Sequence, residues 1–339
     1  MGIAGPKLII QIPCWNEEEA LPTTLAALPR SIAGIGRVEV LIIDDGSVDG
    51  TVQTARRFNV DHILELKRHQ GLAKAYMAGL SEAAKLGADY VVNLDADNQY
   101  CADDIPKVIA PLLEGKADIV VGERPISQME HFSFVKKKLQ NLGSWAVRRL
   151  SGVNVKDTPS GFRAYNRRSL MRLFIFNEYT ASQESLISAT DSGLHVVGVP
   201  IRVNPGMMRP SRLMKSIWQY VLSNAAIVLR FYLIYKPKGV FLGASAVSAL
   251  LGVALWVRFL YFYFTGSGGG HVQSLVLSAV LLTASMLCFI LAVLADIMGT
   301  QRRLLQEALS LLREGAYDRQ RETPALREDE PYALPRADR

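Results

Sequence analysis

Cysteine and histidine are scarce, with three of the first and five of the second in 339 residues. Cys14, Cys101 and Cys288 lie far apart and form no CxxC pair, which excludes a disulfide scaffold and a zinc site. The histidines (His62, His69, His131, His195, His271) fall at no metal-ligand or nucleophile-triad spacing, so His62, His195 and His271 are read as structural. No internal repeat and no heptad pattern stands out. The first residues, MGIAGPKLIIQIPCW, hold one Lys and a short apolar run that flows into a strand, so a cytosolic start is expected rather than a signal peptide. Acid is missing altogether from residues 202–238, which carry seven basic residues directly before a long apolar stretch. That pattern is a juxtamembrane collar suited to anionic headgroups. No nucleic-acid-binding motif accompanies it, so nucleic acid is not an expected partner.

What is present is apolar bulk: 49% of the residues are hydrophobic and 21% charged, with a net charge of +6. A chain of this composition buries a real core, and a mean hydropathy of +0.14 points to a part in lipid. The charge is divided along the chain. Residues 1–122 hold eleven basic against seventeen acidic residues, whereas 123–172 hold eleven against three. Val240 to Phe264 and Val272 to Ala295 are each long enough to cross about 30 Å of hydrocarbon at 1.5 Å per residue. Their connector, TGSGGGH, lacks Lys and Arg, while Lys236 and Lys238 precede the first span and Arg302 and Arg303 follow the second. The positive-inside rule then puts both termini in the cytosol, for a multi-pass protein of the plasma membrane. Arg258 and Asp296 sit near span ends, where anchoring by snorkelling is expected. Residues 213–238 read as interfacial amphipathic helices, and 299–339 as a cytosolic helix followed by a flexible tail.

Residues 7–122 alternate short apolar runs (KLIIQIP, VEVLIID, DHILEL, DYVVNLD, ADIVVGE) with helical stretches starting near Glu18, Asp49, Leu72 and Ala102. This is the signature of an α/β, mostly parallel sheet, whose ligands bind beyond the carboxyl ends of the strands. The polar punctuation falls at those ends: Pro13-Cys14-Trp15-Asn16-Glu17, Asp44-Asp45-Gly46-Ser47 and Asp95-Ala96-Asp97-Asn98-Gln99. Two carboxylates two residues apart at a strand end can both reach a hard divalent cation, and Gln99 adds a neutral oxygen, which fits Mg2+ or Mn2+ holding a diphosphate. Asp44 and Asp45 could instead form an Asx-turn leading into a cap at Ser47 or Asp49, which accounts for one of them better than both.

These motifs, with Gly71-Leu72-Ala73-Lys74-Ala75, Gly79, Gly122-Glu123-Arg124 and Asp157-Thr158-Pro159-Ser160-Gly161-Phe162-Arg163, occur in the order seen in inverting glycosyltransferases of family 2. From Leu8 to about Arg212 the chain resembles that family, and within it the polyprenyl-phosphate sugar transferases of the dolichol-phosphate mannose synthase type. The resemblance implies a GT-A fold (residues 1–212), then the interfacial helices and a transmembrane hairpin (239–298). It implies that Pro13, Asn16, Glu17, Asp44, Asp45, Ser47, Gly71, Lys74, Asp95, Ala96 and Asp97 line a nucleotide sugar, UDP- or GDP-linked. Asp97 and Gln99 would hold the metal, and Lys74 or His69 could assist. It further implies that Asp157 is the catalytic carboxylate beside Asp95 and Asp97, with Glu184 as second choice for a base. The chain would assemble as a homo-oligomer.

The acceptor side also follows from chemistry. A polyprenyl phosphate has a long apolar tail and an anionic head, so its enzyme needs a membrane anchor and cations at the leaflet. Arg124, Arg163, Arg209 and Arg212, with Ser160, are the residues expected at its phosphate, because Arg forks match phosphate oxygens bidentately. Lys136, Lys137 and Lys138 read as leaflet contacts. A phosphate monoester is largely ionised at neutral pH, so Asp157 can act by orientation rather than deprotonation. A lipid alcohol acceptor would require a true base. A processive polysaccharide synthase is disfavoured, because no Trp follows an Arg in a Gln-x-x-Arg-Trp motif. A non-catalytic nucleotide-sugar sensor is the reading from a different class.

Overall fold

The computed structural model describes residues 5–125, 148–149, 151–173, 181–204, 232–266 and 268–322. The chain divides into two compact units, Met1–Met214 with Gln306–Arg339, and Lys215–Leu305.

The first unit is built on a seven-stranded sheet: β1 (Lys7–Cys14), β2 (Arg37–Asp44), β3 (His62–Glu65), β4 (Tyr90–Asn93), β5 (Ile119–Glu123), β6 (Arg163–Asn166) and β7 (Val196–Pro200). Their spatial order is β3-β2-β1-β4-β6-β5-β7. All neighbours pair in parallel except β6, which runs antiparallel between β4 and β5. The apolar runs become the central strands because a parallel sheet is covered on both faces. Leu8, Ile9, Ile10 and Ile12 of β1 and Val40, Leu41, Ile42 and Ile43 of β2 are all buried. Helices α1 (Leu21–Ala27), α2 (Thr51–Arg57), α3 (Leu72–Lys85), α4 (Ile105–Leu113), α5 (Arg167–Arg172) and α6 (Ala181–Asp191) complete the α/β fold.

Helix starts differ from expectation for local reasons. The segment after β1 turns helical at Leu21 rather than Glu18, because the Glu17 and Glu18 N–H groups donate to Thr51 Oγ1 and Asp49 Oδ2 across the next loop. Likewise α2 starts at Thr51, whose N–H and hydroxyl both donate to Asp49 Oδ1. Strands β6 and β7 add to the five expected over residues 7–122, and β6 carries little apolar pattern because two of its four residues are Arg163 and Asn166.

The two expected spans are helical: α7 (Pro237–Phe264) and α8 (Val272–Glu322), both long and apolar enough to cross a membrane. Helix α8 runs without a break through the point where a separate cytosolic helix was expected, ending at Glu322. Within the second unit, α7 and α8 meet through small residues. Ser245 and Ser285 hydroxyls each donate 2.9 Å to the other's carbonyl, and Ser278 Oγ donates 2.8 Å to Gly252 O. A Cβ on Gly252 would stand 3.0 Å from Leu282, so glycine permits the approach. Large apolar side chains such as Leu250 and Phe264 point outward, the inverse of a soluble helix pair. Asp296 pairs with Lys238 at 2.9 Å, and the Arg302 guanidinium lies over the Tyr235 ring. Within the first unit, the end of α8 is docked by Tyr317, whose hydroxyl donates to Ala88 O and whose ring lies under Arg167. The expected interfacial helices lie almost wholly outside the described residues, as does the expected tail.

Candidate active site

The carboxyl ends of β1, β2 and β4 gather the donor-side motifs. The loops after β1 and β2 clasp each other: Asn16 N donates to Ser47 Oγ, and Val48 N to Asn16 Oδ1, both at 2.9 Å. Asn16 takes a positive φ of 53°, which Asn tolerates. Pro13 is buried in β1 opposite Ile43, so it shapes the floor. The two neighbouring aspartates divide their work. Asp45 is committed inside the protein, accepting from Gln70 N and Gly71 N at 2.8 Å each and pairing with His69 Nδ1 at 2.8 Å. Asp44 accepts from Ser47 N through Oδ2, while its Oδ1 is buried with no protein partner among the described residues. Asp45, expected with Asp44 along the nucleotide, thus also holds the loop leading into α3. Gly46 is required here, since a Cβ would come within 2.7 Å of His69 N. His69 in turn stacks on Trp15, ring centroids 4.1 Å apart, and Trp15 stands exposed. Gly71 adopts φ 94° ahead of α3, and Lys74 stands exposed in its first turn.

After β4 comes the Asp95 to Gln99 loop. Ala96 O accepts from Thr24 Oγ1 at 2.7 Å, and Gln99 N donates to Asp97 Oδ1 at 3.2 Å. Asn98 is at φ 55°, and its carbonyl accepts from Asn204 Nδ2. Burial, reinforced by the negative charge of Asp97, pushes the Asp95 carboxyl up to about 6, against the pull of Arg124, a hydrogen bond from Tyr100 and the charge of Arg163. Among the described residues no three His, Cys, Asp or Glu side chains form a metal cage. Asp95 and Asp97 are like charges close enough for one to raise the other, an arrangement a hard cation would relieve, and their carboxylate oxygens fit Mg2+ or Mn2+.

Among the described residues, those expected on the acceptor side come from β5, β6 and the loop before β6. Asp157 is fully buried and bound bidentately by Arg124, Nε to Oδ2 at 2.6 Å and a terminal nitrogen to Oδ1 at 3.0 Å, with Arg124 N adding a third bond. The residue expected as base and the residue expected at the phosphate are thus an ion pair. Pairing with Asp157 and proximity to Tyr100 and Asp95 hold Arg124 firmly cationic against the cost of burial. Arg163 departs from expectation. It is fully buried, and its guanidinium donates to Ser160 O, Thr158 O and Ser185 Oγ. A fork held in this way braces the loop before β6, whereas the reading from sequence expects it at the acceptor phosphate. Ser160 Oγ is buried beside the Tyr100 phenol without a well-aligned bond. Glu184 is buried on α6, one residue from the Ser185 that holds Arg163. Arg209, Arg212 and Lys136 to Lys138 lie outside the described residues.

Three residues that shape the site, Trp15, Asn93 and Tyr100, have no role assigned by the sequence reading. Asn93 carries a signal, being polar in the otherwise apolar YVVN strand that the sheet buries.

Residues 9–174 match the family model of glycosyl transferase family 2. A UDP-N-acetylglucosamine–dolichyl-phosphate N-acetylglucosaminyltransferase of Methanococcus voltae is 30% identical over 221 residues, 59% of this chain and 86% of the relative. An undecaprenyl-phosphate mannosyltransferase of Micrococcus luteus is 31% identical over 170 residues, 48% of this chain and 68% of the relative. A polyprenol monophosphomannose synthase of Mycolicibacterium smegmatis is 27% identical, covering 58% of this chain and 76% of its own length. Among solved structures, glucosyl-3-phosphoglycerate synthase of Mycobacterium tuberculosis, crystallised with Mn2+, UDP and glucosyl-3-phosphoglycerate, superposes with a TM-score of 0.52 at 19% identity over 68% of this chain and 80% of that one. That likeness speaks for the GT-A fold. With its mixed sheet, its carboxylates at the strand ends and these relatives, the chain belongs to glycosyl transferase family 2.

Proposed function

We propose that this family 2 enzyme transfers a hexose-type sugar, with inversion, from a UDP- or GDP-sugar to a polyprenyl phosphate at the cytosolic leaflet. The observation that carries the reading is the agreement of three relatives across the catalytic unit, each named for a dolichyl, undecaprenyl or polyprenol phosphate acceptor. Two helices able to span a membrane suit an acceptor that never leaves the bilayer. Both termini then lie in the cytosol of a plasma-membrane protein.

The buried Asp44 Oδ1 accepts from an N–H or O–H of the nucleoside, and the exposed Trp15 follows Cys14, which pairs with Asp44 at the carboxyl ends of β1 and β2. Asp97, with Gln99, would hold Mg2+ or Mn2+ together with the diphosphate. The metal supplies neutralisation of the charge that grows on the departing nucleoside diphosphate. Asp95 lies along the sugar. On the other side, Arg124 uses two of its side-chain donors on Asp157 and offers the rest to the acceptor phosphate. A phosphate oxygen attacks the anomeric carbon as the bond to the diphosphate breaks. An ionised phosphate has no proton to lose, so Asp157 aims Arg124 and no general base is required.

The test is product formation by the detergent-purified full chain with a short polyprenyl phosphate, Mg2+ or Mn2+, and a panel of labelled UDP- and GDP-sugars. The expected result is a chloroform-soluble labelled lipid from one donor, reduced on the order of a thousandfold in Asp97→Ala. Donor binding without lipid product from any donor would overturn the reading in favour of an alcohol acceptor or a sensor.

A further inference from the structure

Three buried polar side chains of the sheet and the loop after β4 have no assigned contact with substrate: Gln11, Asn93 and Tyr100, the last of which also hydrogen-bonds Asp95. A buried polar group without a purpose is costly, so where each sends its bonds is informative. Asn93, the last residue of β4, donates from Nδ2 to Gly161 O at 2.8 Å. Its Oδ1 accepts from Gln11 Nε2 at 2.9 Å, which fixes the amide so that the donor faces Gly161. From the other side, Gly161 N donates to the Tyr100 hydroxyl at 3.0 Å. Both backbone polar groups of Gly161 are therefore held by side chains that flank the Asp95 to Gln99 loop at its two ends.

Gly161 also has no room for a side chain. A Cβ there would lie 2.7 Å from both carboxylate oxygens of Asp95, so that carboxylate rests against the bare backbone. The same loop carries the acceptor-side pair, since Ser160 N donates to Asp157 O at 3.2 Å, and Phe162 O accepts from Gly122 N two residues before Arg124. The Tyr100 ring packs at 5.5 Å from that of Phe162. The donor-side and acceptor-side loops are thus joined at one residue, and that residue is gripped from both sides.

We propose that Asn93 and Tyr100 are positioning residues that lock Gly161 against Asp95 and so set the spacing between the donor-side carboxylates and the Arg124–Asp157 pair. This rests on the reading of the site as a sugar transferase. Attacking and leaving groups must be aligned to within a fraction of an ångström, and a displacement of about 1 Å can cost on the order of a hundredfold in rate. The lock touches neither substrate, so its loss acts on turnover rather than on affinity.

The experiment uses the full chain in detergent with Tyr100→Phe, which keeps the ring, and Asn93→Ala. In each, kcat for lipid product is expected to fall about tenfold or more, with KM for donor and acceptor within about threefold. The fraction of donor lost to water rises, and the Tyr100→Phe protein melts close to the wild type. Because Tyr100 also bonds Asp95, Asn93→Ala is the deciding arm: wild-type kcat in it overturns the proposal, as does a loss of kcat that only tracks a loss of folded protein. Wild-type protein that makes no lipid product condemns the functional reading instead. Amide hydrogen exchange then still decides the lock: exchange at Gly161 is expected to accelerate in Tyr100→Phe while β1 and β2 stay protected, and unchanged exchange at Gly161 overturns it.

Discussion

The two ends of the active site solve the problem of buried charge in opposite ways. At the donor end, like charges are crowded, with Asp95 pushed up to about 6 chiefly by burial and Asp97, and Asp44 keeping one buried oxygen without a protein partner among the described residues. At the acceptor end, opposite charges are matched: Arg124 binds Asp157 bidentately, and Arg163 satisfies two carbonyls and a serine. The first arrangement carries unfavourable electrostatics, and the second pairs its charges within the protein. On the proposed reading, a donor would gain binding energy by relieving the first, while the second contributes rigidity.

The sharpest way to break this contrast is to remove one charge from each end. Asp95→Asn is expected to lower turnover on the order of a thousandfold, yet to raise stability. The sign follows from the direction of the shift: a carboxyl whose folded pKa lies above its unfolded value destabilises the fold once pH exceeds the unfolded value, and an amide does not ionise. In EDTA at pH 7 the gain is about 2 kcal/mol, read as a higher melting temperature that vanishes near pH 4. Asp157→Asn is expected to move both properties down together, with turnover falling about a hundredfold and stability by about 3 kcal/mol as Arg124 loses its counter-ion. A melting temperature that rises in Asp157→Asn would erase the distinction. The smallest effect on activity belongs to Arg163→Lys, which loses the three-way fork. It costs about 2 kcal/mol in denaturant unfolding, while KM for the acceptor stays within about threefold. A large rise in that KM would return Arg163 to the acceptor phosphate.

Much of the donor end is legible in the sequence because its residues follow apolar strands that a parallel sheet must bury, and strand ends are where such sheets bind ligands. The acceptor end is less so. The motif containing Arg163 displays an arginine, but its direction depends on β6 inserting between β4 and β5, and four residues reading RAYN carry too little pattern to announce a strand. The commitment of Asp45 to His69, Gln70 and Gly71 depends on a loop about twenty-five residues further along and has no local signature. Gln11 and Asn93 are the instructive middle case, polar interruptions in apolar strands that become meaningful only once their partners are known.

The place of β6 has a consequence for the order in which the molecule can be made. Strands β1 to β4 pair among themselves, so the nucleotide-facing half of the sheet can close while the rest of the chain is still being synthesised. Strand β5 pairs only with β6 and β7, both later in the chain, so it has no ladder partner until residue 163 and beyond have emerged. Until then the open edges of β4 and β5 are exposed to wrong pairing. Arg124 accordingly meets Asp157 only after the donor half of the sheet can have formed, and a nascent chain arrested before Asp157 would carry the motifs of β1 to β4 without that pair.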